Sequence, residues 1–169
     1  MRAFTSLLLA ATAIAASACS SLQLGSGNKV PFRSLYVPPV ENRSYAPQVT
    51  ALLSTNISEA FIRDGGVRIV DKADADATLR VRIVDYVTDV AAHSSNDTGR
   101  VSAQGMTLIV EATLVSRDGA VLMDRRRFSD KEVAFAPNMG ELREARAQDM
   151  PMVTREIARR IKDATVNVW

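Results

Sequence analysis

Strict alternation between apolar and polar residues over two long stretches constrains the fold of this chain most strongly. In the second of them, residues 101–115, the apolar positions are Met106, Leu108, Val110, Ala112 and Leu114. Successive side chains of a β-strand point to opposite faces, so a period of two predicts a strand with one covered face. Residues 78–90 repeat the pattern, with Leu79, Val81 and Ile83 on the covered side. We expect Arg80, Arg82 and Tyr86 on the outward side, together with Ile109.

Three shorter segments extend this sheet. Residues 34–40 and 67–71 have strand composition, and Pro38-Pro39 limits the pairing of the first of them. Asp118-Gly119 is a hairpin signal that leads into a strand over residues 121–133. Residues 91–100 read as a polar loop.

Two stretches have the 3.6-residue period of amphipathic helices. The first begins at Pro47 and ends at Gly65-Gly66, and its apolar positions are Val49, Leu52, Leu53, Ile57, Ala60 and Phe61. The second has Asp149 as its N-cap and Pro151 in its first turn, and its apolar positions are Met150, Val153, Ile157, Ile161, Ala164 and Val168. Residues 141–148 form a charged stretch for which a helix is one option.

Each amphipathic helix needs an apolar surface, which a sheet with one apolar face supplies. The sequence therefore predicts an α+β fold, a two-layer sandwich. It consists of a mostly antiparallel sheet of four to five strands, with both helices packed on one face and the other face open.

The amino terminus predicts export. Residues 1–18 carry Arg2, an apolar run too short to span a bilayer of about 30 Å, and small residues before the only cysteine, Cys19. Cleavage before Cys19 resembles the processing of bacterial lipoproteins, in which that thiol is lipidated. Ala16-Ser17-Ala18 also fits an ordinary A-x-A cleavage site, which would leave a soluble secreted protein. We expect residues 19–29 to be a lipidated tether and residues 30–169 a single domain.

Composition and residue spacing argue against catalysis. His93 is the only histidine, the only cysteine is assigned to lipid, and no serine lies in a G-x-S-x-G context. Asp71, Asp74 and Asp76 lack the glycine and distal glutamate of a calcium loop. The net charge of +2 does not favour nucleic acid as a partner. We therefore expect no enzymatic activity, no metal site, no cofactor and no nucleic-acid partner.

The densest positive cluster is Asp124–Phe128, "DRRRF". A strand would place Arg125 and Arg127 on one face and Arg126 on the other. The cluster is then either an anion-binding patch or a solvated strand end that discourages edge-to-edge aggregation. A two-residue hairpin loop places Arg126 opposite Glu111, whereas a one-residue bulge would change the pairing.

The order of several motifs resembles the LptE family. They are "VPPVENRSYAP", then "FIRDGGVRIVDKADADATLRVRIVDY", two long strands, and a final helix that closes on "NVW". The most specific residues are Pro39 with Glu41-Asn42-Arg43-Ser44, Ala75-Asp76, and the terminal Trp169. The chain differs where Ser20-Ser21 follow the cysteine, because family members often have Gly-Tyr or Gly-Phe there.

The resemblance implies a non-catalytic lipoprotein of the outer membrane, on the periplasmic side, that plugs an LptD-type β-barrel and assists lipopolysaccharide transport. It also implies that basic residues near strand ends bind lipopolysaccharide, and the candidates here are Arg100, Arg125, Arg127 and Lys131. The strand, turn, helix and strand pattern is shared loosely with LpoB-like and CsgG-like lipoproteins. An activator of a peptidoglycan synthase, or another envelope scaffold, is therefore the alternative.

Overall fold

The computed structural model describes residues 30–46, 48–94, 97–136 and 139–167, with the backbone alone at residues 97–100 and at Met139. The predicted signal peptide, Cys19, the tether, Pro47, Val168 and Trp169 lie outside these residues. The elements are β1 (Ser34–Tyr36), β2 (Glu41–Asn42), α1 (Val49–Asp64), β3 (Arg68–Ile69), β4 (Ala77–Ser94), β5 (Asp97–Ser116), β6 (Val121–Phe135) and α2 (Met139–Val166).

The sheet has the order β3-β1-β4-β5-β6, and β2 also pairs with β4. The long strands β4, β5 and β6 are antiparallel, whereas β1, β2 and β3 pair in parallel. The predicted α+β sandwich with a mostly antiparallel sheet is confirmed, although the sheet has six strands where four to five were expected and includes a small parallel part. The segment with Pro38 and Pro39 makes no ladder pair and separates β1 from β2, because proline cannot donate to a ladder.

Both helices cover one face of the sheet. On α1, Leu53, Ile57 and Phe61 are fully buried, as the helical period predicts. Burying one such side chain stabilises the fold by about 1.5–3 kcal/mol. The helix ends where Gly65 adopts φ 71° and donates its N–H to the carbonyl of Phe61. The predicted apolar positions of β5 are buried as well.

The second helix differs from its prediction, because α2 runs without interruption from Met139 to Val166 and has Pro151 in its interior. Asp149 is therefore not an N-cap. An interior proline costs about 3 kcal/mol. Burial of Leu142 before the proline and of Val153 after it offsets that cost, so the two parts continue as one helix.

The two helices run parallel. The Asn56 amide donates to Thr154 Oγ1 at 2.8 Å, and Lys162 Nζ donates to Asp64 Oδ1 at 3.1 Å, with the same sequence separation of 98 in both contacts. A constant separation means that the chain directions agree. Neither of the two described helices combines the length and the apolar composition that a membrane span requires.

The predicted polar loop at residues 91–100 is wrong, since β4 continues to Ser94 and β5 begins at Asp97. Residues 91–100 have no alternating side-chain pattern, but their main chains still pair across the two strands, which extends both of them. A bulge between Ile83 and Asp85 also shifts the alternation by one residue. Tyr86 therefore lies on the helix side, opposite Leu108, and not on the outward face as expected.

The Asp118-Gly119 hairpin is confirmed, but its loop has three residues, 117–119. Gly119 has φ 91° and donates to the carbonyl of Ser116, which is a type I turn closed by a glycine bulge. A second bulge leaves Arg125 at φ 36°. Arg127 consequently lies opposite Glu111, and Arg126 lies opposite Ala112 on the helix side. Of the two alternatives left open by the sequence, the one with a bulge is observed, so Arg126 does not pair with Glu111 as a two-residue loop would require.

Candidate interaction surface on the sheet

The sheet face opposite the helices is called the open face. Its outward positions on β4, β5 and β6 are Arg80, Arg82, Asp85, Val87, Asp89, Gly105, Thr107, Ile109, Glu111, Thr113, Arg125, Arg127, Ser129, Lys131 and Val133. The sheet side chains that form the core with the helices lie on the opposite face, among them Leu79, Val81 and Leu108. The open face is rich in charge of both signs, which makes it a candidate surface for docking.

Three of the four predicted lipopolysaccharide-binding residues lie together on this face. Arg125, Arg127 and Lys131 follow one another along β6, and their side chains are 73%, 71% and 51% exposed. The six residue steps from Arg125 to Lys131 span about 20 Å of strand. Arg100 lies in β5, and its side chain is not among those described.

Each of the three cations has an acidic neighbour. Arg127 Nε donates to Glu111 Oε1 at 2.9 Å, Lys131 Nζ to Asp89 Oδ2 at 2.9 Å, and Arg125 lies 3.6 Å from Asp124. An exposed pair of this kind contributes at most about 1 kcal/mol. Because these pairs are weak, a phosphate with two or three free oxygens can compete with the carboxylates for the three cations.

Gly105 makes the pair between Lys131 and Asp89 possible. The two side chains come from β6 and β4 and meet across β5, directly above this glycine. A Cβ on Gly105 would clash with Asp89 Oδ1 and lie 2.9 Å from Lys131 Cε. The sequence pattern did not reveal this contact, because its three residues are far apart in the chain.

We predict that Gly105→Ala separates Lys131 from Asp89 and changes the free energy of unfolding by less than about 1 kcal/mol. Loss of an exposed ion pair costs up to about 1 kcal/mol, whereas alanine is favoured over strand glycine by about 0.5–1 kcal/mol. Chemical denaturation and the NMR shift of the Lys131 ε-carbon measure the two effects. An unchanged Lys131 signal would contradict the prediction.

A groove of about 450 Å³ crosses one end of the open face and is called the proline groove. It is lined by Pro38, Pro39, Glu41, Arg80, Val81, Arg82, Glu111, Thr113, Asp124 and Arg125. Glu41 accepts from Arg82 at 2.8 Å and from Arg43 at 2.9 Å, and these hydrogen bonds hold the pKa of its carboxyl below the usual range. Among the described side chains, Arg80 has no acidic partner within ion-pair distance. Sequence reasoning placed Arg80 on this face but did not select it.

The remaining polar residues that the sequence singles out include His93 and Asp76. His93 is exposed on β4, and the described residues contain no group of three or more His, Cys, Asp and Glu side chains that could hold a metal. Asp76 Oδ2 accepts the backbone N–H groups of Arg33 and Ser34, both at 3.0 Å. Asp76 therefore attaches β1 to the start of β4.

Residues 32–165 match a family model described as lipopolysaccharide-assembly, LptE. The chain belongs to the LptE family. No curated protein matches it by sequence.

Solved structures share this fold at low sequence identity. A minor lipoprotein from Acinetobacter baumannii is 15% identical with a TM-score of 0.57, over 82% of this chain and 93% of that one. Lipoprotein B from Nitrosomonas europaea is 16% identical with a TM-score of 0.55, over 88% and 90%. A Xanthomonas campestris protein is 14% identical with a TM-score of 0.57, over 86% and 92%. These likenesses show that the α+β sandwich of this LptE-family chain recurs in other proteins.

The residues that carry the LptE resemblance shape the edge of the sheet. Asn42 Oδ1 accepts the N–H and the hydroxyl of Ser44, both at 2.8 Å, and Asn42 Nδ2 donates to the carbonyl of Ala46. Together they form a side-chain-stabilised turn between β2 and α1. The motif therefore positions Glu41 and the prolines beside the open face.

Proposed function

We propose that this LptE-family protein is an outer-membrane lipoprotein, anchored through Cys19, that plugs an LptD-type β-barrel and assists lipopolysaccharide transport to the outer leaflet. The family match over residues 32–165 carries this proposal. The open face supports it, since a broad sheet surface of mixed charge suits packing against the polar lumen of a barrel. Fatty-acid labelling that disappears in Cys19→Ala tests the anchor.

The arrangement of cations on β6 supports contact with a polyanion. Arg125, Arg127 and Lys131 are spread over about 20 Å, which is too far for one phosphate. Lipopolysaccharide carries several phosphate and carboxylate groups along its length. Guanidinium groups bind such oxygens with two parallel hydrogen bonds. We assign these three residues, together with Arg100, as the lipopolysaccharide contacts.

Affinity purification of the tagged full-length chain from membranes tests the partnership. We expect an LptD-type barrel to co-purify in a stable complex. Recovery of a peptidoglycan synthase without a barrel would overturn the proposal in favour of the activator alternative.

We predict that the double variant Arg125→Glu/Arg127→Glu binds lipopolysaccharide on the order of tenfold more weakly, because two exposed charge contacts of up to about 1 kcal/mol each are reversed. The control is Arg126→Glu, which reverses one arginine, half of that charge change, on the opposite side of the same strand. Surface plasmon resonance on immobilised lipopolysaccharide measures both variants. Weakening per reversed charge that is equal in the control would show that net charge, and not this face, determines binding.

A further inference from the structure

A second groove lies on the other side of the molecule, between the amino-terminal halves of the two helices, and is called the interhelical groove. It has a volume of about 1030 Å³ and is lined by Gln48, Thr50, Ala51, Leu52, Thr55, Tyr86, Arg143, Arg146, Ala147 and Met150. The helices are linked by the hydrogen bond between Asn56 and Thr154, and the groove lies on the amino-terminal side of that contact. Its floor is apolar, and its rim on α2 carries two arginines.

The electrostatic character of the interhelical groove is one-sided. Its described lining contains two guanidinium groups and no carboxylate. Arg146 Nε is buried and has no hydrogen-bond partner within the described part of the chain. A buried donor without an acceptor is unfavourable, because it has lost its hydrogen bond to water without gaining another. An occupant with a carboxylate or phosphate would remove that cost.

The dimensions of the interhelical groove limit the occupant. Its length along α1, from Gln48 to Thr55, is about 10 Å at 1.5 Å per residue. That length corresponds to about two turns of an α-helix. Over two turns a helix presents side chains at i, i+3, i+4 and i+7 to the floor of the groove, whereas an extended strand of that length has about three residues, of which every second one faces the floor. A single acyl chain is narrower than either.

We infer that the interhelical groove is the docking site of a short acidic amphipathic helix from a partner polypeptide. Apolar residues of that helix at i, i+3 or i+4 pack on Leu52, Tyr86 and Met150, and a Glu or Asp beside them accepts from Arg143 and Arg146. The tether of this chain cannot be the occupant, because residues 20–29 contain no acidic residue. The inference is independent of the open face and of what binds there.

Site-specific photo-crosslinking of the full-length chain in its native membrane tests the inference. A photoreactive residue replaces Ala51 or Ala147, which are exposed at the groove, or Met152 as a control position outside it. We expect the two groove positions to form an adduct that Met152 does not form. Mass spectrometry of the adduct should identify a protein segment with acidic residues and helical apolar spacing.

Charge reversal distinguishes docking from chance proximity. Arg143→Glu/Arg146→Glu should lower the adduct yield about tenfold, as loss of one charge-assisted hydrogen bond implies. Arg155→Glu, on the same helix but outside the groove, should leave the yield unchanged, and equal melting temperatures verify that both variants fold. A lipid adduct, a segment without acidic residues, no adduct, or equal loss in Arg155→Glu would each overturn the inference.

Discussion

Replacing Asp76 with alanine is expected to lower the melting temperature more than any other single change of a surface residue. Its carboxylate accepts two backbone N–H groups, from Arg33 and Ser34, while its own N–H donates to the carbonyl and the hydroxyl of Ser34. Its carbonyl also accepts from the N–H of Arg117 at 2.7 Å. Without the carboxylate, the N–H groups of Arg33 and Ser34 lose their acceptor, and β1 is held at the start of β4 by its main-chain hydrogen bonds alone. Differential scanning calorimetry measures the shift.

Asp76→Asn is the matched control, because it keeps one acceptor oxygen and removes the charge. We expect it to be less destabilising than Asp76→Ala. If both variants melt at the wild-type temperature, Asp76 is not an anchor.

The dependence of stability on acid pH is a second test of the Asp76 contacts. Hydrogen bonding with Ser34, and then with the N–H of Arg33, lowers the pKa of Asp76 in the folded state. Hydrogen bonds from Arg159 and Arg160 lower the pKa of Glu156 to about 2. A carboxyl with a lowered folded pKa stabilises the fold above its unfolded pKa of about 4, and this stabilisation is lost as the pH falls through the folded value. Stability should therefore decline between about pH 4 and pH 2, and less steeply in Asp76→Asn.

Thr154→Val is expected to destabilise the fold by about 1–3 kcal/mol, although it is nearly isosteric. Thr154 is fully buried, and its hydroxyl accepts from the Asn56 amide at 2.8 Å while it donates to the carbonyl of Met150. The valine would leave the buried amide of Asn56 without an acceptor, which carries the full desolvation penalty. Urea denaturation measures the change in the free energy of unfolding.

The double variant Asn56→Leu/Thr154→Val completes the cycle. Replacing both polar partners removes the unsatisfied donor, so we expect the double variant to be more stable than the sum of the two single changes implies. Strict additivity would mean that the two side chains do not interact. The pair also fixes the alignment of α1 and α2, so the same variants should change crosslinking at the interhelical groove.

The sequence predicted those parts of the fold in which side-chain period and main-chain geometry agree. The buried stripe of α1, the glycine that ends it and the apolar face of β5 are of this kind. The position of Tyr86 could not be predicted, because a single bulge at residue 84 inverts the alternation beyond it and leaves no mark in the pattern. The predicted start of α2 was wrong. A proline fits the first turn of a helix, but it also fits a helix interior when burial of the neighbouring side chains offsets its cost.

Prediction of the open face was limited in a similar way. Residue type identified Arg125, Arg127 and Lys131 as its cations, and their common face followed from alternation. Their acidic partners depend on strand register, and the register depends on two bulges and a three-residue loop. The contact of Lys131 with Asp89 further depends on a glycine in the strand between them. These ion pairs can therefore be identified only once the strands are placed side by side in the sheet.

Strand β4 has hydrogen-bonded neighbours on both sides only over its first half. Its pairing with β1 and β2 ends at Ile83, and most of the later side chains of the strand are exposed. Backbone amides of β4 up to Ile83 should therefore exchange their hydrogens only when the whole domain unfolds. Between Asp85 and Ser94, the backbone amides that point away from β5 should exchange through local fraying. One continuous strand thus contains a rigid half and a half that can rearrange while the core stays folded.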